Sequence, residues 1–215
     1  LPAVKAIAKH FPETIISIDT IRAKVADAAL ENGAAIVNDI SAGRDPKIMQ
    51  VAAKHKAPYI LMHMQGLPET MQTAPSYNNV VTEVIDFLVE KAAEAHRAGI
   101  NDVIIDPGFG FGKTVKHNYE LMSRLSDFQI SEQPILVGIS RKSMICKVLK
   151  VNPEKALTGT TALHAVALLK GADILRVHDV KEAVEKLKWW RCSVRKNAVF
   201  CIPFTNHASD VIFAH

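Results

Sequence analysis

Cysteine is scarce in this sequence. The three present, Cys146, Cys192 and Cys201, are odd in number and lack metal-type spacing, which argues against a disulfide framework and a zinc site. A reducing, cytoplasmic setting is therefore expected. No apolar run approaches the about 20 residues of a membrane span, so no membrane partner is expected. The opening LPAVKAIAKHF lacks the apolar stretch of a secretory signal. A large excess of either charge is also lacking, at a formal net +4. No Lys/Arg cluster is interleaved with aromatics, so nucleic acid is not an expected partner. A basic mouth that attracts a small anionic substrate fits the balance better. No Ser–His–Asp arrangement is visible, and GFGFGK lacks the third glycine of a dinucleotide fingerprint.

What is present is a series of apolar runs, each closed by polar groups. The chain reads TIISIDT at 14–20, AAIVNDIS at 34–41, YILMHMQG at 59–66, DVIIDPGFGFGK at 102–113, PILVGISRKS at 134–143 and ILRVHDV at 174–180. Runs such as VIID and PILVG are apolar throughout, as in a parallel sheet covered on both faces. Between them the spacing predicts helices over Arg22–Asn32, Asp45–His55, Tyr77–Ala98, His117–Leu125, Lys142–Leu169 and 180–190, with Pro2–Phe11 as an opening helix. Six βα units result, and polar groups end nearly every strand. The fold class is therefore α/β, a TIM (β/α)8-type barrel that lacks its first two units in this sequence. An open doubly wound sheet is the structural alternative. Residues 1–190 are expected to form the barrel domain; 191–215 has no helical period and is left as a tail of unknown structure.

Several motifs carry chemistry. Asp106 ends a strand in DPGFGFGK, where its carboxylate can accept two parallel N–H donors, as from a ring N–H beside an exocyclic amine. The same Asp could equally cap the turn that follows. Phe109 or Phe111 could line a flat ring. GISRKS places Lys142 and Ser143 ahead of a predicted helix, which suits an anion or carbonyl or is a solvated basic loop. Arg176 and His178 are two apart on one strand, so they point the same way, as phosphate recognition or a salt-bridged strand end would need. Asp19 and Asn38 end strands as hydrogen-bonding groups or as helix caps. Met62 is either a surface for a flat ligand or core filler.

These motifs together, ISIDT, ND, LMHMQG with PETMQ, DPGFGFGK, LVGISRKS and RVHDV, resemble the dihydropteroate synthases in order and spacing over roughly residues 1–188. That family is a TIM barrel of the pterin-binding type. It joins 6-hydroxymethyl-dihydropterin diphosphate to p-aminobenzoate, releasing diphosphate in folate biosynthesis, and is inhibited by sulfonamides. The resemblance implies a pterin pocket of Asp19, Asn38, Asp106 and Lys142, with walls from Ile40, Met62, Phe111 and Gly138. It implies that Arg176 and His178 hold the diphosphate and that Ser143 meets the p-aminobenzoate carboxylate. The implied catalytic set is Asp19, Asp106, Lys142, Arg176 and His178. The implied mechanism is dissociative, with a pterin-methylene cation that must be stabilised. Mg2+ and a homodimer are also implied.

The family's NxTPDSF-like and STRP-like loops have no counterpart in this sequence, and the residues after Trp190 do not match. The expectation is a pterin site with an incomplete second-substrate site, and weak turnover. Two other readings are carried forward. One is a pterin-barrel methyltransferase acting on methyltetrahydrofolate, which would need no diphosphate site. The other is a catalytically impaired pterin-binding fragment whose exposed strand edges invite association.

Overall fold

The computed structural model of the chain describes residues 1–66, 71, 74–193, 200–203 and 212–214. Helix α1 (Pro2–His10) comes first, with its proline at the helix start, where a missing N–H costs nothing. Strand and helix then alternate: β1 (Ile16–Asp19), α2 (Ala23–Leu30), β2 (Ile36–Asp39), α3 (Ile48–Lys54), β3 (Tyr59–Met62), α4 (Val80–Arg97), β4 (Val103–Asp106) and α5 (Val115–Ser123). There follow β5 (Leu136–Val137), α6 (Ser143–Leu149), α7 (Leu157–Leu169), β6 (Ile174–Val177) and α8 (Val180–Ser193). The six βα units read from the sequence are all present. The expected helix from Lys142 to Leu169 is divided, because Lys150 turns left-handed at φ 54° and Pro153 opens a short 3-10 turn. Helix α5 starts two residues before the expected His117, because Thr114 and His117 form a reciprocal cap.

The tail beyond residue 190 yields two more strands, β7 (Phe200–Pro203) and β8 (Ile212–Ala214). β7 pairs parallel with β6, and β8 pairs parallel with β1. The hydrogen-bonded orders are β4-β3-β2-β1-β8 and β5-β6-β7, bridged between β4 and β5 at Ile105 and Ile135. This corrects the expectation of bare strand edges: the backbone groups of β1 and β6 are matched by the chain's own C-terminal segment. Among the described residues no ladder joins β7 to β8, so the barrel is not closed there.

Alternation along the strands explains the position of the site. Ile36, Ile60, Leu136 and Ile174, with Ile104 packed on them, form the apolar filling inside the sheet. The larger core lies between the strands and helices and includes Ile16, Val37, Tyr59, Leu61, Ile105, Val137 and Leu175. Two residues beyond the inner layer, on the same face, come Asn38, Met62, Asp106, Gly138 and Arg176. Asp19 occupies the matching place on β1, paired in register with Asn38. The interior therefore changes from aliphatic to polar in one step along β2, β4 and β6, and the site is the layer above the filling.

The turn after β2 is anchored by Asp39. This fully buried carboxylate accepts from the Ser41 N–H at 2.8 Å, the Ser41 hydroxyl at 2.6 Å, the Gly43 N–H at 2.8 Å and the Tyr59 phenol. Burial first, and the Asp39 charge second, hold the phenol protonated. Substituting Tyr59→Phe strips one donor from a buried charge and is expected to cost about 2 kcal/mol. Urea unfolding checks this; a loss below about 0.5 kcal/mol would show that the other three donors suffice.

Candidate functional site

One pocket opens at the C-terminal ends of the strands. Asp106, Phe111, Gly138, Ser140, Lys142, Arg176 and His178 line it. Asp106 is 4% exposed and accepts from the Gly108 N–H at 2.8 Å. Burial pushes its carboxyl upward, opposed by Lys142, the Gly108 N–H, Arg176 and Lys113. Lys142 precedes α6, donates to the Phe109 carbonyl and lies 4.6 Å from the centre of the Phe111 ring. Burial lowers its ammonium to about 8, with Asp106 opposing and Arg176 adding to the fall. The pocket thus holds an aromatic wall, a buried acceptor and a cation that can lose its proton in the mild alkaline range.

The Arg176 guanidinium donates to Asp19 at 2.8 Å, in a pair that is largely buried. His178 lines the same wall, and burial lowers its imidazole, so it is more readily neutral than an exposed histidine. The His178 backbone N–H donates to the Ser140 hydroxyl at 3.2 Å. Beside it, Asp179 takes a two-pronged bond from Arg141, which itself turns left-handed at φ 54°. That pair ties the turn carrying Lys142 to the strand end carrying His178.

Of the residues singled out in the sequence, Asp106, Phe111, Gly138, Lys142, Arg176 and His178 meet in this pocket. Asp19 joins them through Arg176. Asn38 is 2% exposed at the adjacent strand end, and its Nδ2 has no partner among the described residues. A buried amide donor without a partner is uncommon in a folded core. Met62 is buried against Gly108. Ile40 and Ser143 are not among the lining residues; Ile40 is partly buried and Ser143 is exposed at the first position of α6. The GISRKS motif takes in Ser140 and Arg141 without a role for either, and Lys113 is the residue that sequence reasoning missed. Lys113 closes the DPGFGFGK motif, and a lysine ending a glycine-rich turn was the available signal.

A family model described as "Pterin binding enzyme" matches residues 1–178, a span that ends at the last pocket residue. Dihydropteroate synthase of Escherichia coli strain K12 is 46% identical over 190 residues, covering 87% of this chain and 67% of that protein. The chain belongs to the dihydropteroate synthases. The crystal structure of dihydropteroate synthase from Thermus thermophilus in complex with 6HMPPP superposes with a TM-score of 0.83 at 37% identity, covering 90% of this chain and 75% of that one. The same Thermus synthase in complex with 4-aminobenzoate gives a TM-score of 0.85 at 38% identity, covering 89% and 78%. The whole pocket and every synthase motif but the last two residues of RVHDV fall inside the matched span, while β7 and β8 lie beyond it. No helix among the described residues is long and apolar enough to cross a membrane.

Proposed function

We propose that the chain binds 6-hydroxymethyl-dihydropterin diphosphate in this pocket and transfers its pterin-methyl group to p-aminobenzoate. The observation that carries the reading is a buried carboxylate, Asp106, on one pocket wall with Lys142, Arg176 and His178 on the others. Asp106 would accept the ring N–H and the exocyclic amine of the pterin, while Asn38 and Lys142 meet its remaining polar edge. Arg176 and His178 would hold the diphosphate. In the transfer, the methylene C–O bond breaks with its electron pair leaving on diphosphate. The amine nitrogen of p-aminobenzoate then forms the C–N bond and releases a proton. Arg176 neutralises charge on the leaving group, and the carboxylates Asp106 and Asp19 favour the methylene cation.

Magnesium is implied by the resemblance, but the donors around the pocket do not make a protein-held site. Asp19 is engaged by Arg176, and Asp106 lies among cations. Among the described residues the one group of three clustered carboxylate or imidazole ligands is Asp27, Glu31 and His55, none of which lines the pocket. No step is assigned to the metal.

The test is product analysis with both substrates and magnesium. Dihydropteroate formed in proportion to p-aminobenzoate supports the transfer. Pterin bound without any dihydropteroate would contradict the transfer while leaving the pterin site intact.

A further inference from the structure

Lys113 lies beneath the pocket without lining it, yet it is 2% exposed and hydrogen-bonded on every side. Its Nζ donates to His63 Nδ1 at 2.9 Å, the Gly108 carbonyl at 3.0 Å, the Phe111 carbonyl at 3.0 Å and the His63 carbonyl at 3.4 Å. Two of these acceptors belong to the end of β3 and two to the turn after β4. The two turn residues are the ones that shape the pocket. Gly108 accepts from Lys113 through its carbonyl and donates to Asp106 through its N–H. Phe111 accepts from Lys113 through its carbonyl and places its ring under the Lys142 ammonium. A single buried cation is therefore one bond removed from both the pterin acceptor and the aromatic wall.

We propose that Lys113 is the positioning residue of the pterin pocket, clamping the glycine-rich turn to the end of β3 so that Asp106 and Phe111 are held ready for the ligand. This deepens the pterin reading above and rests on it. The clamp works best charged, because an ammonium has three donors for these acceptors and a neutral amine has two. The groups facing it are His63 just past β3, Asp106 from β4 and Lys142 from the turn before α6. Tyr77, ahead of α4, packs against His63, with its ring centre at 6.1 Å, and against His117 of α5 at 5.1 Å. Burial, then Lys113 itself, lowers His63 to about 3, so the ring is neutral and can accept. Burial lowers Lys113 to about 7, with Asp106 opposing and Lys142 adding to the fall. A lowered lysine is charged below its folded value and loses its proton above it. Pterin affinity should therefore be full below about 7 and decline as pH rises through that value, with Lys142 extending the decline near 8.

The experiment is calorimetric titration with 6-hydroxymethyl-dihydropterin diphosphate from pH 6 to 8.5, on the wild-type chain and on Lys113→Met. The variant is expected to bind about tenfold or more weakly at pH 6, from the loss of charged hydrogen bonds. The midpoint of its pH decline should move up toward that of Lys142. A purely structural lysine would leave that midpoint unmoved. A folded variant with wild-type affinity and an unchanged midpoint would overturn the role of Lys113 alone, whereas absence of binding by the wild-type chain would overturn the pterin reading with it. Should Lys113→Met not fold, carbon-13 NMR of labelled lysine in the wild-type chain decides. By linkage, saturation with neutral 6-hydroxymethylpterin must raise the Lys113 midpoint; an unmoved midpoint would overturn the proposal.

Discussion

Substituting Asp106→Asn is expected to abolish measurable pterin binding while leaving the chain folded. The carboxylate presents two acceptors, whereas an amide presents one acceptor and one donor, so one of the two pterin N–H groups would face an N–H. One charged hydrogen bond, about 1.5–3 kcal/mol, is replaced by a donor facing a donor and the other loses its charge assistance, so affinity should fall by about a hundredfold or more. The change also removes the anion that opposes the fall in Lys142. With Arg176 still nearby, Lys142 would lose its proton at lower pH than in the wild type. Calorimetry with the pterin diphosphate measures the first effect, and thermal unfolding confirms that the variant is folded. Affinity within about threefold of wild type would remove Asp106 from the centre of the account, since that corresponds to less than one such bond.

Gly108→Ala is expected to be the most damaging single methyl addition in the turn beside the pocket. Gly108 has φ +69°, and a Cβ placed there would lie 1.8 Å from the His63 carbonyl oxygen and 3.3 Å from Met62 Cγ. Backbone cannot give way as a flexible side chain can, so the turn must leave the end of β3. That motion breaks the Gly108 bonds to Asp106 and Lys113 together. The expected loss is about 3 kcal/mol or more of stability, with pterin affinity falling in parallel. Gly110→Ala is the control. Its φ is +83°, but its nearest neighbour is the flexible Lys142 Cδ at 3.3 Å. It should cost about 1–2 kcal/mol from left-handed strain alone. Chemical unfolding of the two variants separates them; equal losses would show that close approach to β3 is not what requires glycine at 108.

The strand ends were legible because each follows from alternation. Once Ile36 points inward, Asn38 must as well, and the same holds for Ile174 and Arg176 or Leu136 and Gly138. What joins those ends was not legible. The Arg176–Asp19 pair spans 157 positions, and the Lys113–His63 contact spans 50. Neither leaves a periodic trace, because side chains meet across a ring of strands rather than along one element. Lys113 looked like the end of a glycine-rich turn, and only burial shows that it has no route to solvent. The tail resisted reading for a related reason. β7 and β8 are 4 and 3 residues long, below the length at which alternation declares itself, and what they do is set by the edges of β1 and β6. Ile40 came from resemblance alone and Ser143 from its place ahead of a helix, and neither lines the pocket.

The central claim is that Asp106, Lys142, Arg176 and His178 make a pterin diphosphate site. The most direct measurement is a calorimetric titration of the wild-type chain with 6-hydroxymethyl-dihydropterin diphosphate near pH 6.5, where Lys142, lowered to about 8, keeps its proton. The account predicts saturable one-to-one binding that Asp106→Asn removes. A folded wild-type chain that takes up no pterin diphosphate would contradict it.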